Sequence, residues 1–387
     1  MTFRILICDL VGLAFDAHGQ PDATEVKAYI EAKGGVFHFG AAEMEQPKQN
    51  DALHFYYLPN LSTAEEILER TSQDQFDAVI AAATIIPTEA KFKFGGVRIG
   101  AGTGNMGSTS WGGGNGVGGV GPLMNTPGFN ARATAQMVMK ALLRFRPDLP
   151  FDTIQERVLA GDFDTGKDLR QFPTAKLEGQ TIAILGYGNI GKELAKLAFA
   201  FGMRVQVFAR ATHHERIKAT GFQAFETVAG AAKGADVLSV HTGLGQLHEG
   251  RYANAELINT EVLQRLNHGA TLLNFDRGEC VDTNALDAAM ASGKVANAAI
   301  DADIFKDHDG TLSGPLVPYL PLAEKYRERI LLLPHAAADT DHPSRVAGAK
   351  QAVDQIFDAL LHKRVTNLKG DLPLGYFNAG TKLGTAD

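Results

Sequence analysis

The chain has 387 residues, 45% hydrophobic and 21% charged, with 42 Gly and 15 Pro. That composition is globular, offers enough chain for two separate cores, and excludes a mostly disordered or fibrous protein. Lys and Arg number 37 against 44 Asp and Glu, a net charge of -7, so no basic face is advertised for nucleic acid or anionic lipid.

Cys8 and Cys280 are the two cysteines, too few for a disulfide framework or a thiolate cluster; no metal is expected, and a reducing, cytoplasmic setting is. Met1–Leu10 carries one basic residue and a short apolar run ended by Asp9, which reads as a first buried strand and not as a secretion signal. No apolar run reaches the about 18 residues that span a bilayer, so no membrane partner is expected.

Strand and helix signals alternate from the start. Phe3–Leu10 is followed by the capping box Asp22-Ala-Thr-Glu25, opening a helix that stops at Gly34-Gly35. A second box, Ser62-Thr-Ala-Glu65, opens another helix, and Ala78–Ala82 and Val97–Gly100 read as short buried strands. Between Gly100 and Gly121 stand 11 glycines, a density that rules out a helix interior and predicts a loop, either a flexible edge or part of a binding site. Trp111 within it is expected to pack.

Ala131–Phe145 has apolar residues at helical spacing and marks the crossing into a second domain. Strands are then predicted near Thr181–Leu185, Arg204–Phe208, Val237–His241, Thr271–Phe275, Ala298–Asp301 and Ile330–Leu333, with helical patterns between them. Six parallel strands make a doubly wound sheet. A last helix, roughly Ser344–Lys363, leads into a Gly-containing tail expected to pack back on the first domain.

Four GxGxxG matches occur. Those beginning at Gly102, Gly114 and Gly116 lack a following helix pattern. Gly186-Tyr-Gly188-Asn189-Ile190-Gly191 instead follows the strand 181–185 and opens the helix 192–201, the context that binds a dinucleotide pyrophosphate: Gly188 lets backbone approach the anion, the helix N-terminus offers unpaired N–H groups, and Gly191 permits close helix packing. At the end of 204–208, where an NAD site places an acidic residue against the ribose, stands Ala209-Arg210. Arg210, with His213 or Arg216, suits a 2′-phosphate, so NADP is favoured with NAD possible; the rival reading is a solvated basic loop. Arg277 falls just where the apolar strand 271–275 ends, and a substrate carboxylate or a structural salt bridge is its expected partner. His335 repeats that placement after Leu331-Leu-Leu-Pro334, as a catalytic or a structural histidine.

These segments together, Ile99-Gly-Ala-Gly-Thr-Gly104, Asn125-Thr-Pro-Gly128, the 186–191 loop, Ala235-Asp236 to His241-Thr242, Asn274 to Gly278 with Val281-Asp282, Ala299-Ile-Asp301 and Pro334-His335, resemble the D-isomer-specific 2-hydroxyacid dehydrogenases, the group that includes phosphoglycerate dehydrogenase, glyoxylate reductase and D-lactate dehydrogenase. The resemblance implies an α/β fold of two doubly wound parallel-sheet domains, a Rossmann dinucleotide-binding domain (124–337) inserted in a flavodoxin-like substrate (catalytic) domain (1–123 and 338–387), and a homodimer formed largely through the cofactor domain. It further implies that Arg277 binds the carboxylate and polarises the carbonyl of a small 2-keto acid, that His335 is the proton donor, and that Thr103, Asn189, Ile190, Thr242, Phe275 and Asp301 contact the cofactor, alongside Gly186, Gly188, Gly191 and Arg210.

Two departures stand out. Family members usually hold a Glu five residues beyond the position of Asp301; Lys306 stands there, with Asp307 the nearest acidic substitute and Asp303 another. The arginines of phosphoglycerate-type members fall opposite Ala81 and Gly100, which favours an unphosphorylated 2-keto acid or 2-hydroxy acid, bound by backbone N–H groups near Ala82, Ala83 and Gly102 together with Arg277. The alternatives are a nucleotide-sensing, corepressor-like binding protein with little turnover and a formate-dehydrogenase-like enzyme, the latter without a matching Gln near residue 306.

Overall fold

A computed structural model describes residues 2–10, 14–17, 19, 21–40, 53–59, 61, 64–71, 75–112, 118–306, 309–335, 341–374, 376 and 382–384. The chain divides into two compact units, Met1–Asn130 with Ala338–Asp387, and Ala131–Ala337.

Unit 1 is built on β1 (Phe3–Ile7), β2 (Val36–Phe39), β3 (Leu53–Tyr57), β4 (Ala78–Ala81), β5 (Gly96–Arg98) and β6 (Leu123–Asn125), with a short strand Leu368–Lys369 at its margin. The sheet order is 368–369, β6, β5, β4, β1, β3, β2. Every pairing is parallel except that of Leu368–Lys369 with β6. Side chains alternate between two buried faces, which is why these strands read as unbroken apolar runs. Ile5, Ile7, Phe55 and Ile80 pack with Val26 and Ile30 of α1 (Thr24–Ala32) and with Val353 and Ile356 of the 20-residue helix His342–Leu361. Leu6, Tyr56, Val79 and Ala81 face Ile67 of α2 (Ala64–Thr71), Phe92 and Trp111. Trp111 is fully buried, stacks on Phe92 and donates its indole N–H to the Met106 carbonyl at 2.7 Å. It is a core residue within the glycine-rich segment. Ser62 and Thr63 of the second capping box, and Gly114 and Gly116, lie outside the described residues.

Unit 2 carries β7 (Thr181–Leu185), β8 (Arg204–Phe208), β9 (Gln223–Phe225), β10 (Val237–Val240), β11 (Ala270–Asn274), β12 (Val295–Asp301) and β13 (Ile330–Leu333). They form one parallel sheet in the order β13, β12, β11, β10, β7, β8, β9. Seven strands replace the expected six because β9, a three-residue edge strand beginning at an exposed Gln223, has no apolar run to announce it. On one face Ile182, Ile184, Val237 and Leu273 pack with Ala135, Val138 and Leu142 of α3 (Ala131–Arg144); α4 (Phe151–Leu159) follows with no buried residue. The division between units falls at Asn130 and not after residue 123, since Leu123–Asn125 pairs with β5 and completes the first sheet. Among the described residues no helix is long and apolar enough to cross a membrane, and no group of three metal-ligating side chains occurs.

Candidate active site

The loops that leave β7, β10, β11, β12 and β13 lie at one end of the unit 2 sheet, the end where doubly wound sheets take their ligands. The first of them runs from β7 into α5 (Asn189–Ala200). Gly186 has φ +100, and a Cβ on it would stand 2.3 Å from the His241 carbonyl oxygen. A Cβ on Gly191 would meet the Gly186 carbonyl oxygen at 2.0 Å, so α5 seats directly on the strand end. Nothing lies within 4 Å of the Cβ position of Gly188, and no side chain caps the helix it opens. The leading N–H groups of α5 therefore carry the positive end of the helix dipole with no carboxylate or hydroxyl among the described residues bound to them.

Beyond β10, His241 and Thr242 each bury a polar atom, Nδ1 and Oγ1, without a hydrogen-bond partner among the described residues. Burial pushes the His241 imidazole down to about 3, and its Nε2 lies 2.8 Å from Ser239 Oγ, so the ring is neutral at physiological pH. Asp301 ends β12 with 2% of its surface exposed. Phe275 is buried in the hydrophobic core on the α3 face of the sheet, which leaves its backbone, not its ring, at the loop. At the end of β8, Arg210 is exposed and its Nη2 lies 3.4 Å from His213 Nε2.

Arg277 follows β11, with Nη1 3.5 Å from Asp303 Oδ2 and two-fifths of its side chain exposed. That long contact leaves most of the five guanidinium donors uncommitted. Asp303 therefore faces Arg277. Lys306 is exposed in a two-stranded hairpin, Phe305–Lys306 with Leu312–Ser313, and Asp307 lies outside the described residues.

His335 follows β13 through a tight turn in which its N–H donates to the Leu333 carbonyl at 3.0 Å. Its φ is +55, a left-handed conformation that costs free energy in a non-glycine residue, and its Nδ1 is buried with no partner among the described residues.

A residue that the sequence reading passed over lies beside these groups. Asp276 precedes Arg277, accepts hydrogen bonds from the Gly243 and Thr242 N–H groups, and falls within electrostatic reach of both Arg277 and His335. Burial outweighs those favourable contacts and holds its carboxyl above the usual aspartate range. An acidic side chain immediately before a strand-end arginine was the available signal.

Unit 1 presents a different arrangement. The N–H groups of Ala82 and Ala83 donate to Asp9 Oδ1 at 2.9 and 3.1 Å, and that of Thr84 to Asp9 Oδ2 at 2.7 Å. The Ala82 and Ala83 amides, expected to bind substrate, are thus taken by a carboxylate of the chain itself. Gly102 and Thr103 follow in the loop after β5. Opposite Gly100 the chain does place a cation, because Arg98 Nη1 lies 1.4 Å from where a Gly100 Cβ would stand. Arg345 is 6% exposed near Arg98 and Asp9, and burial, with Arg98 beside it, brings its guanidinium down to about 10.

An open-ended parallel sheet with a glycine turn into an uncapped helix defines a dinucleotide-binding domain of the Rossmann class. Residues 150–337 match the model of the D-isomer specific 2-hydroxyacid dehydrogenase, NAD binding domain. The glyoxylate reductase of Aeropyrum pernix is 30% identical over 244 residues, 60% of this chain and 65% of that protein. The D-3-phosphoglycerate dehydrogenase of Bacillus subtilis is 39% identical over 129 residues, 33% of this chain and 23% of that protein. The chain thus spans less than two thirds of either relative. The NAD+-bound 3-phosphoglycerate dehydrogenase of Entamoeba histolytica superposes with a TM-score of 0.64 over 96% of this chain and all of that one, at 18% identity, so the fold is shared. Residues 150–337 thus belong to the NAD binding domain of the D-isomer specific 2-hydroxyacid dehydrogenases.

Proposed function

We propose that the protein is an NAD(P)H-dependent reductase of a small, unphosphorylated 2-keto acid, forming the D-2-hydroxy acid reversibly. The observation that carries the reading is the convergence of Arg277, His335 and the orphaned Thr242 hydroxyl at the same end of one sheet as the uncapped α5. The open space at Gly188 and that orphan fit a dinucleotide, to be held by Gly186, Gly188, Asn189, Ile190 and Gly191 at the pyrophosphate, and by Thr242, backbone at Phe275, and Asp301 elsewhere. When bound, the nicotinamide supplies the hydride. Arg210, exposed at the end of β8 where no acidic residue stands, supports NADP over NAD through a bidentate pair with the 2′-phosphate.

Arg277 clasps the substrate carboxylate with the donors that Asp303 leaves unused and polarises the neighbouring carbonyl. His335 gives its proton to the carbonyl oxygen as that oxygen becomes a hydroxyl; in the reverse direction the neutral ring takes the proton back. Proton transfer from a positioned side chain is worth about 10²- to 10⁴-fold in rate. What supports an unphosphorylated substrate is Asp9, whose carboxylate fills the Ala82–Thr84 donors and sets a negative charge against the Arg345 and Arg98 cations.

Loss of NADPH absorbance at 340 nm with glyoxylate, hydroxypyruvate, pyruvate, longer 2-keto acids and a phosphorylated keto acid tests all of this. Turnover is expected with an unphosphorylated member, lowered about 10²-fold or more in Arg277→Ala and His335→Ala. Turnover indifferent to both substitutions overturns the site, and cofactor binding with no turnover on any acid favours the nucleotide-sensing alternative.

We also infer a homodimer through unit 2. Helix α4 has no buried residue, and Phe151, Val158 and Leu159 are 67%, 56% and 79% exposed, an apolar surface that a second copy would cover. Light scattering after size exclusion is expected to give twice the chain mass, and the single mass in Val158→Glu, Leu159→Glu.

A further inference from the structure

Arg277 sits on a short loop whose backbone is held point by point. The Arg277 carbonyl accepts from Asn274 Nδ2 at 2.9 Å, that of Glu279 from the Glu256 N–H at 2.7 Å, and that of Cys280 from the Ile258 N–H at 2.9 Å. Gly278, between them, is gripped from elsewhere. Its carbonyl accepts the Tyr319 hydroxyl at 2.6 Å, a shorter contact than the turn bond from the Val281 N–H at 3.3 Å. A Cβ on Gly278 would stand 2.6 Å from the Pro315 carbonyl oxygen, so the chain just after the arginine lies directly on the segment that carries Pro315 and Tyr319.

That segment reaches Arg277 twice. The Leu316 N–H donates to the Asp303 carbonyl at 3.1 Å, and Asp303 Oδ2 lies 3.5 Å from the guanidinium; Tyr319 then holds the backbone behind it. Tyr319 is 1% exposed, in one hydrophobic cluster with Leu316, Leu322, Cys280 and Val281, and burial drives its phenol well above the ordinary range, so the hydroxyl stays a donor. Further along, the segment is moored where Tyr326 Oη donates to Asp287 Oδ1 at 2.5 Å and Lys325 Nζ lies 2.6 Å from the same oxygen. Packing alone would be served by a phenylalanine at 319; the buried hydroxyl is satisfied by the loop of Arg277. We propose that Tyr319 is a positioning residue for the substrate carboxylate: its hydroxyl fixes the Gly278 carbonyl while Asp303 steadies the guanidinium, so that the fork meets the acid in one orientation. This rests on the reading of Arg277 given above.

Two hydroxyls of the same segment separate positioning from general support. Tyr319→Phe removes the hydroxyl at the Arg277 loop and keeps the ring; Tyr326→Phe makes the same change at the mooring and serves as the control. In Tyr319→Phe, kcat/KM is expected to fall about tenfold, through KM, for the keto acid that the parent turns over best. It changes little for that acid's primary amide, which has no charge for Arg277 to orient, and KM for NADPH is unchanged. The preference for acid over amide therefore drops about tenfold, a split that a general loosening of the fold does not make. Tyr326→Phe keeps that preference. Amide hydrogen exchange in the cofactor-free protein is expected to quicken across 277–281 in Tyr319→Phe and not in Tyr326→Phe. Acid and amide losing rate equally, the same loss of preference in Tyr326→Phe, or unchanged exchange across 277–281 in Tyr319→Phe overturns the proposal. Because the exchange needs neither cofactor nor substrate, quickened exchange in a protein whose parent reduces no keto acid upholds Tyr319 as the brace of the Arg277 loop while removing the proposed reaction.

Discussion

Both units gather backbone N–H groups at the carboxyl end of a doubly wound sheet, and they treat them in opposite ways. In unit 1 the amides of Ala82, Ala83 and Thr84 close on the carboxylate of Asp9, sent over from the end of β1. In unit 2 the amides that lead α5 meet no side chain among the described residues, and nothing lies within 4 Å of the Gly188 Cβ position. Similar backbone chemistry serves stability in one case and recognition in the other. The difference is one of side chains: an aspartate within reach, or a glycine turn that no described side chain caps.

The contrast can be broken at its open end first. Gly191→Val would force a side chain into the Gly186 carbonyl, which a Cβ alone already approaches to 2.0 Å, so α5 must shift; dinucleotide affinity measured by fluorescence titration is expected to fall at least about 100-fold, some 2.7 kcal/mol. At the closed end, Asp9→Ala leaves three donors without their acceptor and is expected to cost about 2–3 kcal/mol of unit 1 stability by chemical denaturation. Added sulfate should recover part of that loss in the variant and not in the parent. If Asp9→Ala is neutral, the closed cradle is not structural and the comparison fails.

Smaller effects sharpen it. Arg210→Ala should lower the NADPH to NADH ratio of kcat/KM about tenfold, equal to 1.4 kcal/mol, and an unchanged ratio would remove Arg210 from cofactor choice. Asp276 yields a pH signature. Its carboxyl is held above the ordinary value in the fold, so its contribution to stability is fully present below about pH 4 and is lost as the pH rises through the raised value. Asp276→Asn should accordingly be as stable as the parent or more so at pH 7, by on the order of 1 kcal/mol, and lose that advantage on acidification below pH 4, as thermal melts across pH will show.

The open cradle was legible from sequence, and the closed one was not. The strand 181–185, the three glycines and the helix after them are contiguous, so the chemistry is written in a dozen residues. The Asp9 contact joins residues 73 to 75 apart, and nothing local at Ala82 or Ala83 says that their amides are taken. Asp276 is tied to Gly243 across 33 residues and escaped for the same reason. Arg98 was overlooked because alignment compares positions, whereas a long side chain can fill the volume of a neighbour two residues away. β6 and β9, three residues each, are too short to show a period. The positions of Arg277 and His335 were readable because each falls just past the end of an apolar strand, while their roles belong to the proposed function.

Asp9 also acts as a tethered competitor. Its carboxylate is held against the 82–84 amides by the chain itself, at an effective concentration that free metabolites at millimolar levels do not match. Any acid that unit 1 admits must therefore be chosen by groups other than those amides, and sensitivity to bulk carboxylates such as acetate or citrate should be correspondingly blunted there.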